Sequence, residues 1–214
     1  MILGKIPIRT HIITEKDDMI DVVKKYAGDV AEPGDIIAVA ESVVAITQGR
    51  AILPETVKPG LLARFLCLFP GKDGSLATPQ AMQLAIRESG SPRVLLGAVA
   101  AAFGRIIGRR GDFYRVAGRH LAQIDDIAGT MWPFERHIIL GPKDPHKIVR
   151  RIKIVTGVDA VITDVNDIKK VDIIAASGGV DQESLIKDLA DNPFGNDDQQ
   201  TPIVILKMAL NTTD

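Results

Sequence analysis

Apolar positions along the chain form short continuous runs separated by helical stripes, which is the pattern of an α/β protein. An apolar run over 6–12 predicts a strand, and the stripe over 16–26 predicts an amphipathic helix. Residues 35–46 are apolar at nearly every position. This run predicts a strand, or a strand passing into a helix, that is buried on both faces and lies centrally in a sheet.

Helical spacing dominates the next part of the chain, over 59–69 and 78–90. In the second of these segments Thr78 stands at the cap position, Pro79 at the first helical position and Gly90 at the end. These signals predict a helix with well-defined ends.

The segment 106–125 predicts a hairpin entered through residues 109–112, followed by a strand. That strand delivers Asp125 and Asp126 at its end. A loop over 128–136 follows.

The last third repeats the order of helix, turn and strand. Asp144 is the predicted cap of a helix that Pro145 opens and Gly157 closes, and a buried strand over 159–163 ends on Asp164. Further elements are predicted in the following order: a strand over 171–177, a helix over 181–191, a strand over 202–207, and a frayed tail after 207. The whole pattern predicts a mixed α/β fold, a mixed sheet with flanking helices, in one domain spanning 1–214.

Composition narrows the classes of partner. Lys plus Arg total 26 against 27 for Asp plus Glu, so the net charge of -1 gives no overall attraction to nucleic acid or anionic lipid. The apolar run 94–104 is too short to span a bilayer. Cys67 has no second cysteine to pair with, as is usual in a reducing cytosol. We expect a cytoplasmic protein that binds neither nucleic acid nor membrane.

Carboxylates follow apolar strands at two places, Asp125–Asp126 and Asp164, the latter followed by Asn166 and Asp167. Mg²⁺ and Mn²⁺ prefer such oxygen ligands, with water and substrate phosphate completing the shell. Each aspartate alone is more often a solvated turn residue. The position of both clusters at strand ends favours the metal interpretation, because side chains at one rim of a sheet converge.

Basic side chains that could bind phosphate oxygens lie close in the sequence to both aspartate clusters. Arg119 and His120 precede the first cluster, and Lys169 and Lys170 follow the second. The chain has no zinc-type histidine spacing, no G-x-S-x-G elbow, no phosphate loop of the G-x-x-x-x-G-K-[ST] type and no G-x-G-x-x-G turn. The loop 69–75 and the turn in 177–184 could each hold an anion, but both have the ordinary composition of turns and caps.

Five blocks resemble the coenzyme F(420)-0:γ-glutamyl ligase family. They occur in family order and span most of the chain: PIRTHIITEKDDMIDVV (7–23), GDIIAVAESVVAITQGR (34–50), AGRHLAQID (117–125), LGPKDPHKIVRRIKIVTGVDAVITDVND (140–167) and QTPIVILK (200–207). The resemblance implies a mixed α/β homodimer. The apolar run 94–104 fits a dimer interface and fits a buried helix of a monomer equally well. The resemblance also implies an enzyme that uses GTP, with ATP as an alternative, and Mg²⁺ or Mn²⁺ to join an amino acid such as L-glutamate to a carboxylate acceptor.

The resemblance also assigns residues. Asp125 matches the aspartate of the family's N-A-G-[IV]-D block and Asp164 that of I-T-D-T-x-G, and both bind metal in the family. The nucleotide or phosphate ligands that we expect from the matched blocks and the nearby cations are Gln48, Arg50, Arg119, His120 and Asn166.

The chain departs from the family at several of these positions. Ala45 and Ile46 replace a Ser-Lys pair, and Gln48 replaces the glutamate of E-G-R. Leu121, Ala122 and Gln123 precede the first metal aspartate, while Val165 and Asp167 replace the Thr and Gly of the second motif. Set against the resemblance, these departures imply a divergent relative of the family with an altered nucleotide pocket.

Three functional hypotheses remain open at this stage. The first is a metal- and nucleotide-dependent amide ligase. The second is a non-catalytic nucleotide- or metal-binding or regulatory protein on the same scaffold, which the loss of the lysine at Ile46 favours. The third is a phosphate-handling hydrolase that retains the metal pair. The sequence leaves the acceptor and the amine donor open.

Overall fold

The structure is a computed structural model that describes residues 2–70, 74–126, 132–165, 170–195 and 199–209. The chain forms two compact units. We call residues 1–49 with 142–214 the split unit, and residues 50–141 the insert unit. The sequence-based assignment of one family-type domain over 1–214 stays a prediction.

The described ranges hold both long and short elements. The strands are β1 (Ile2–Ile8), β2 (Ile36–Ala40), β3 (Ala51–Ile52), β4 (Asp125–Asp126), β5 (Ile138–Ile139), β6 (Asp159–Val165), β7 (Val171–Ala176) and β8 (Ile203–Met208). The α-helices are α1 (Met19–Ala27), α2 (Glu41–Thr47), α3 (Leu61–Leu66), α4 (Pro79–Ser89), α5 (Ser91–Ile106), α6 (Asp112–Ala117), α7 (Pro145–Thr156) and α8 (Gln182–Asp188).

The split unit is built on a five-stranded mixed sheet with the strand order β1-β8-β2-β6-β7. β2 and β6 run parallel, and the other neighbouring strands are antiparallel. Side chains of α1 and α7 cover one face of the sheet, and side chains of α8 cover the other. The predicted mixed sheet with flanking helices is therefore confirmed.

β2 shows why this sheet forms. Ile37 and Val39 point into the core under α1 and α7, whereas Ile36 and Ala38 point into the core under α8. Alternate side chains of a strand point to opposite faces, so a continuous apolar run is stable only with both faces covered. The chain passes directly from β2 into α2, as the run 35–46 predicted.

The first strand lies earlier in the chain than the prediction over 6–12. β1 ends at Ile8, opposite Ile203 of β8, and the Thr10 amide then bonds to the Gln200 carbonyl in the following loop. Pairing with β8 thus sets the end of β1.

α7 confirms two of its three predicted boundary residues. Pro145 lies in its first turn, and Gly157 ends it in the left-handed conformation with φ 74°. The capping role predicted for Asp144 is wrong, because its φ is 48° and its carboxylate accepts from the Lys147 side chain rather than from a backbone amide of the helix. A capping side chain needs an extended backbone to reach the free amides of the first turn.

The insert unit combines helices α3 to α6 with the small sheet β3-β5-β4 around a core of its own. α4 begins and ends as predicted: the Thr78 side chain accepts from the Ala81 amide, Pro79 opens the helix and Gly90 ends it. The stretch 94–104 lies within α5.

The predicted hairpin and strand over 106–125 are wrong. α6 and a 3-10 helix over Arg119–Gln123 occupy most of this segment, and the strand β4 has only two residues. Phe113, Ala117 and Leu121 all contact the core of the insert unit. Their spacing of four residues is the helical period, and it outweighs the turn signal of residues 109–112.

Asp35, at the start of β2, predicts an acid-sensitive contact. Burial of its carboxylate raises the pKa of Asp35. Hydrogen bonds from Lys207 and from the Glu32 and Met208 amides lower the pKa by more than burial raises it, so the pKa lies below its ordinary value. This stabilisation is present above the unfolded-state pKa of about 3.9 and is lost as the pH falls through the lower, folded-state pKa. We expect Asp35→Asn to flatten the decline in unfolding free energy between about pH 4 and pH 2, measured by urea titration. An unchanged decline would contradict this assignment.

Candidate functional site

Asp164 lies at the carboxyl end of the parallel strand pair in the split unit. The pairing of β2 with β6 finishes at Ala40 opposite Thr163, and Asp164 is the next residue of β6. Glu41 opens α2 at the same edge. Side chains at the carboxyl ends of parallel strands form the usual ligand crevice of an open α/β sheet.

A second carboxylate, Asp172, stands directly opposite Asp164. β6 and β7 are antiparallel, and Asp164 pairs with Asp172 in their register. Directly opposed side chains lie on one face at close range, so two negative charges destabilise the strand pair. Thr163 Oγ1 donates to the Asp172 carbonyl oxygen at 3.0 Å and fixes this register.

The electrostatics of Asp164 reflect this arrangement. Desolvation raises the pKa of its carboxyl group, the positive charge of Lys170 acts in the opposite direction, and the negative charge of Asp172 raises the pKa further. A dication would relieve the repulsion between the two carboxylates, and Mg²⁺ or Mn²⁺ needs only one or two protein carboxylates when water and phosphate supply the other ligands. The oxygen donors present therefore fit such an ion.

Asp125 and Asp126 form the short strand β4 of the insert unit. Asp125 is exposed, while burial raises the pKa of Asp126 and a hydrogen bond from the Thr78 hydroxyl acts against that rise. Within the residues that the structure describes, Asp126 Oδ1 is a buried oxygen without a hydrogen-bond partner. A buried carboxylate oxygen without a hydrogen-bond donor is also a suitable ligand atom for a hard cation.

The two predicted metal aspartates belong to different units, Asp125 to the insert unit and Asp164 to the split unit. Over the described ranges, no three His, Cys, Asp or Glu side chains are grouped closely enough to hold an ion by themselves. An ion at either place would thus depend on solvent or substrate oxygens. That requirement is typical of Mg²⁺ bound together with a nucleotide.

Gln48 is engaged by the backbone of the split unit. Its Nε2 donates to the Lys143 carbonyl at 2.9 Å, and its Oε1 accepts from the Lys143 amide at 2.7 Å. These two hydrogen bonds link the two segments of the split unit, one ending at residue 49 and the other beginning at residue 142. The structure assigns Gln48 a structural contact at a position where the sequence predicted a nucleotide ligand.

Arg50 is engaged in the same way inside the insert unit. Its side chain is buried, its Nε donates to the Gly141 carbonyl, and its guanidinium forms an ion pair with Glu88 at 2.6 Å. These contacts use the guanidinium edges that would otherwise hold a phosphate.

Arg119 and His120 are exposed on the 3-10 helix of the insert unit. His120 Nε2 lies 3.1 Å from Ser89 Oγ, and its ring packs on Gly118, where a Cβ atom would collide with it. Gly118 has φ 127°, which only glycine adopts readily. Asn166, the fifth predicted nucleotide ligand, lies outside the described residues, as do Asp167 and residues 71–73 of the loop 69–75.

The family model of F(420)-0:gamma-glutamyl ligase matches residues 7–185, which is most of the chain. The chain belongs to the F(420)-0:gamma-glutamyl ligase family. Among curated proteins, no sequence matched this chain. Family membership confirms the resemblance seen in the five blocks and supports ligation of the γ-glutamyl ligase type.

The matched range includes both predicted metal aspartates and residues 45–50. Ala45 and Ile46, which stand where the family has Ser-Lys, are buried in α2. Both side chains are apolar and buried, so this part of α2 offers no phosphate ligand. None of the helices in the described ranges is long and apolar enough to cross a bilayer.

Asp172 is not among the site residues predicted from the sequence. The predicted carboxylates directly follow apolar strands, whereas Asp172 lies near the start of β7. The signal was present in the chain. Two strands separated by only a short connection and each carrying an aspartate can form an antiparallel pair that brings the two carboxylates together.

Proposed function

We propose that this chain is a dication- and nucleotide-dependent amide ligase that joins an amino acid to a carboxylate acceptor. In the preferred form of the proposal the nucleotide is GTP and the amino acid is L-glutamate. Membership of the F(420)-0:gamma-glutamyl ligase family supports the reaction type. The observation that carries the metal requirement is the opposed pair Asp164 and Asp172 at the carboxyl end of β6.

The residues of the split unit would bind and orient. Asp164 and Asp172 present oxygens on one face of the β6–β7 pair, and Thr163 holds the register that keeps them opposite each other. Lys170 supplies positive charge next to Asp164 for an anionic group. When bound, Mg²⁺ or Mn²⁺ would screen the phosphate charges of the nucleotide. In the insert unit, Asp125 is the corresponding predicted ligand.

Metal binding by the Asp164–Asp172 pair is tested with Asp172→Asn. We expect the variant to bind Mn²⁺ at least about tenfold more weakly than the native chain in calorimetric titration, because one ligand oxygen loses its charge. The metal-free variant should have a melting temperature at least as high as that of the native chain, because the like-charge repulsion across β6 and β7 is gone.

This pair of readouts separates a metal ligand from a merely structural residue. Loss of a structural carboxylate would lower the melting temperature, and Mn²⁺ affinity would fall only with the folded fraction. Glu183→Gln, an exposed carboxylate of α8, is the matched control and should change neither quantity. Unaltered Mn²⁺ affinity in Asp172→Asn would refute the assignment.

A second candidate function is a nucleotide- or metal-binding protein without catalysis. The engagement of Gln48 by Lys143 and of Arg50 by Glu88 favours it, because these side chains are occupied where the resemblance implies phosphate contacts. This candidate requires binding of the nucleotide or the metal without any amide product. The ligation assay that closes the Discussion therefore decides between the two functions.

A further inference from the structure

α7 concentrates positive charge in a unit that is acidic as a whole. The split unit has 14 Lys and Arg against 20 Asp and Glu, a net charge of -6. Residues 143–153 nevertheless contain five Lys or Arg and a single acidic residue, Asp144. The helix therefore creates a local positive potential that the overall charge of the chain conceals.

The outward side of α7 combines cations with exposed apolar side chains. Arg150 and Arg151 are exposed, and Ile154, one turn later, is 81% exposed, with Val155 beside it at 43%. Residues three and four apart are neighbours on a helix surface, so both arginines border Ile154. We call this surface the α7 face; it consists of Lys147, Arg150, Arg151, Ile154 and Val155.

The cations of the α7 face are available to a ligand. Within the part of the chain that the structure describes, neither Arg150 nor Arg151 forms a hydrogen bond or an ion pair. Lys147 pairs with Asp144, but the two side chains are 70% and 65% exposed, and such an exposed pair is weak. An approaching anion therefore displaces little that already holds these side chains.

The neighbouring helix α1 adds no net charge at this surface. A groove of about 420 Å³ lies between α1 and the last turn of α7, with Val155 in its wall. Lys24 and Lys25 line the groove, but so do Asp21 and Asp29. Attraction of an anion is thus due to α7 itself.

Acidic residues of α8 are too far from the α7 face to cancel its potential. Asp181, Glu183 and Asp188 belong to this helix and its cap, and α8 covers the opposite face of the sheet from α7. Two layer spacings of about 10 Å separate the helices by about 20 Å. The Debye length at physiological ionic strength is about 8 Å, so an anionic surface touching α7 is screened from these carboxylates.

The composition of the α7 face fits a lipid surface better than nucleic acid or an acidic protein. α7 has no aromatic side chain for base stacking, and an isoleucine protruding between two arginines interrupts contacts to a phosphate backbone. Anchors of protein interfaces are mostly aromatic or arginine side chains that fill a pocket of the partner. An anionic bilayer accepts both parts of the face, because headgroups bind Lys and Arg while the acyl boundary takes up apolar side chains.

We propose that the α7 face docks the chain reversibly on an anionic phospholipid surface. Headgroup anions bind Lys147, Arg150 and Arg151, whereas Ile154 and Val155 enter the boundary between headgroups and acyl chains. The inference departs from the expectation, based on net charge, that the chain binds no membrane. It is independent of the proposed reaction.

The test is flotation of the purified full chain with vesicles of phosphatidylcholine containing about 30% phosphatidylserine. The native chain is expected to float with these vesicles at about 0.1 M salt, but not at about 1 M salt, where the Debye length falls to about 3 Å. It should not float with pure phosphatidylcholine vesicles. Arg150→Gln/Arg151→Gln should bind at least about tenfold more weakly, because each basic side chain contributes about a factor of five at such a surface.

Ile154→Ser tests the apolar part of the face. It should bind about fivefold more weakly than the native chain, with an unchanged salt dependence, because the loss is not electrostatic. Circular dichroism and melting temperatures of all variants should remain close to native, since the replaced side chains are exposed.

The matched control is Lys58→Gln/Lys187→Gln, which removes the same charge from exposed positions in the insert unit and on α8. It should float like the native chain. The proposal is overturned if the native chain does not float with anionic vesicles at about 0.1 M salt, if neutral vesicles bind it equally, or if the double arginine variant floats like the native chain. A native chain that does not float but binds a duplex oligonucleotide or polyaspartate through the same arginines would also overturn it, in favour of nucleic acid or an acidic protein as the occupant.

Discussion

Replacement of Arg50 by methionine is expected to lower the free energy of unfolding of the chain by about 3 kcal/mol. The Arg50 side chain is 8% exposed, and its partner Glu88 is 22% exposed. Methionine fills a similar volume but leaves the Glu88 carboxylate and the Gly141 carbonyl without their donor. Removal of one partner of a buried ion pair strands the other charge in a poorly solvated place, which is the costly case.

Urea titration followed by circular dichroism measures this effect, and the chain contains a matched exposed pair as the control. Arg136 and Glu55 also form an ion pair, but their side chains are 82% and 61% exposed. Arg136→Met should change the unfolding free energy by less than about 0.5 kcal/mol. Equal effects of the two replacements would show that the Arg50 contact is not a buried ion pair.

Replacement of Asp164 by asparagine is expected to reduce the rate of ligation by at least about 100-fold. Asparagine keeps the size of the side chain but removes the charge that would hold the dication. Asp164 is accessible to solvent at the edge of the sheet, although neighbouring atoms partly desolvate its carboxyl group, so the fold should tolerate a side chain of the same size. Loss of the repulsion with Asp172 should make the metal-free variant no less stable than the native chain.

Ligation by Asp164→Asn is best measured with saturating GTP over a range of Mn²⁺ concentrations, with Glu183→Gln as the control that should retain the native rate. Arg50→Met is less informative for activity, because a destabilised insert unit also lowers the folded fraction. A native rate for Asp164→Asn would remove Asp164 from the list of metal ligands.

Much of the split unit is predictable from the chain because its signals are local. The apolar run 35–46 needs two covered faces, and the proline and glycine at the ends of α7 act within one turn of the helix. The family blocks were predictable for the same reason, since each is a continuous segment.

The insert unit was harder to predict because its signals compete. The Arg-Arg-Gly-Asp segment at 109–112 is typical of a turn between strands, and only the spacing of Phe113, Ala117 and Leu121 reveals α6 and the 3-10 helix. In the candidate site, too, local signals could be recognised in the sequence and contacts between distant segments could not. Asp164 could be selected from its own position, whereas Asp172 depends on the β6–β7 register, and the engagement of Gln48 depends on a contact 95 residues away.

The most direct test of the proposed function is whether the purified chain joins L-glutamate to coenzyme F(420)-0. The chain is incubated with both substrates, GTP and Mn²⁺, and the products are separated by mass. The account predicts a product heavier than the acceptor by one glutamyl residue, which requires GTP, the metal and Asp164. Binding of GTP and Mn²⁺ without any amide product would contradict the ligase assignment and favour the non-catalytic candidate.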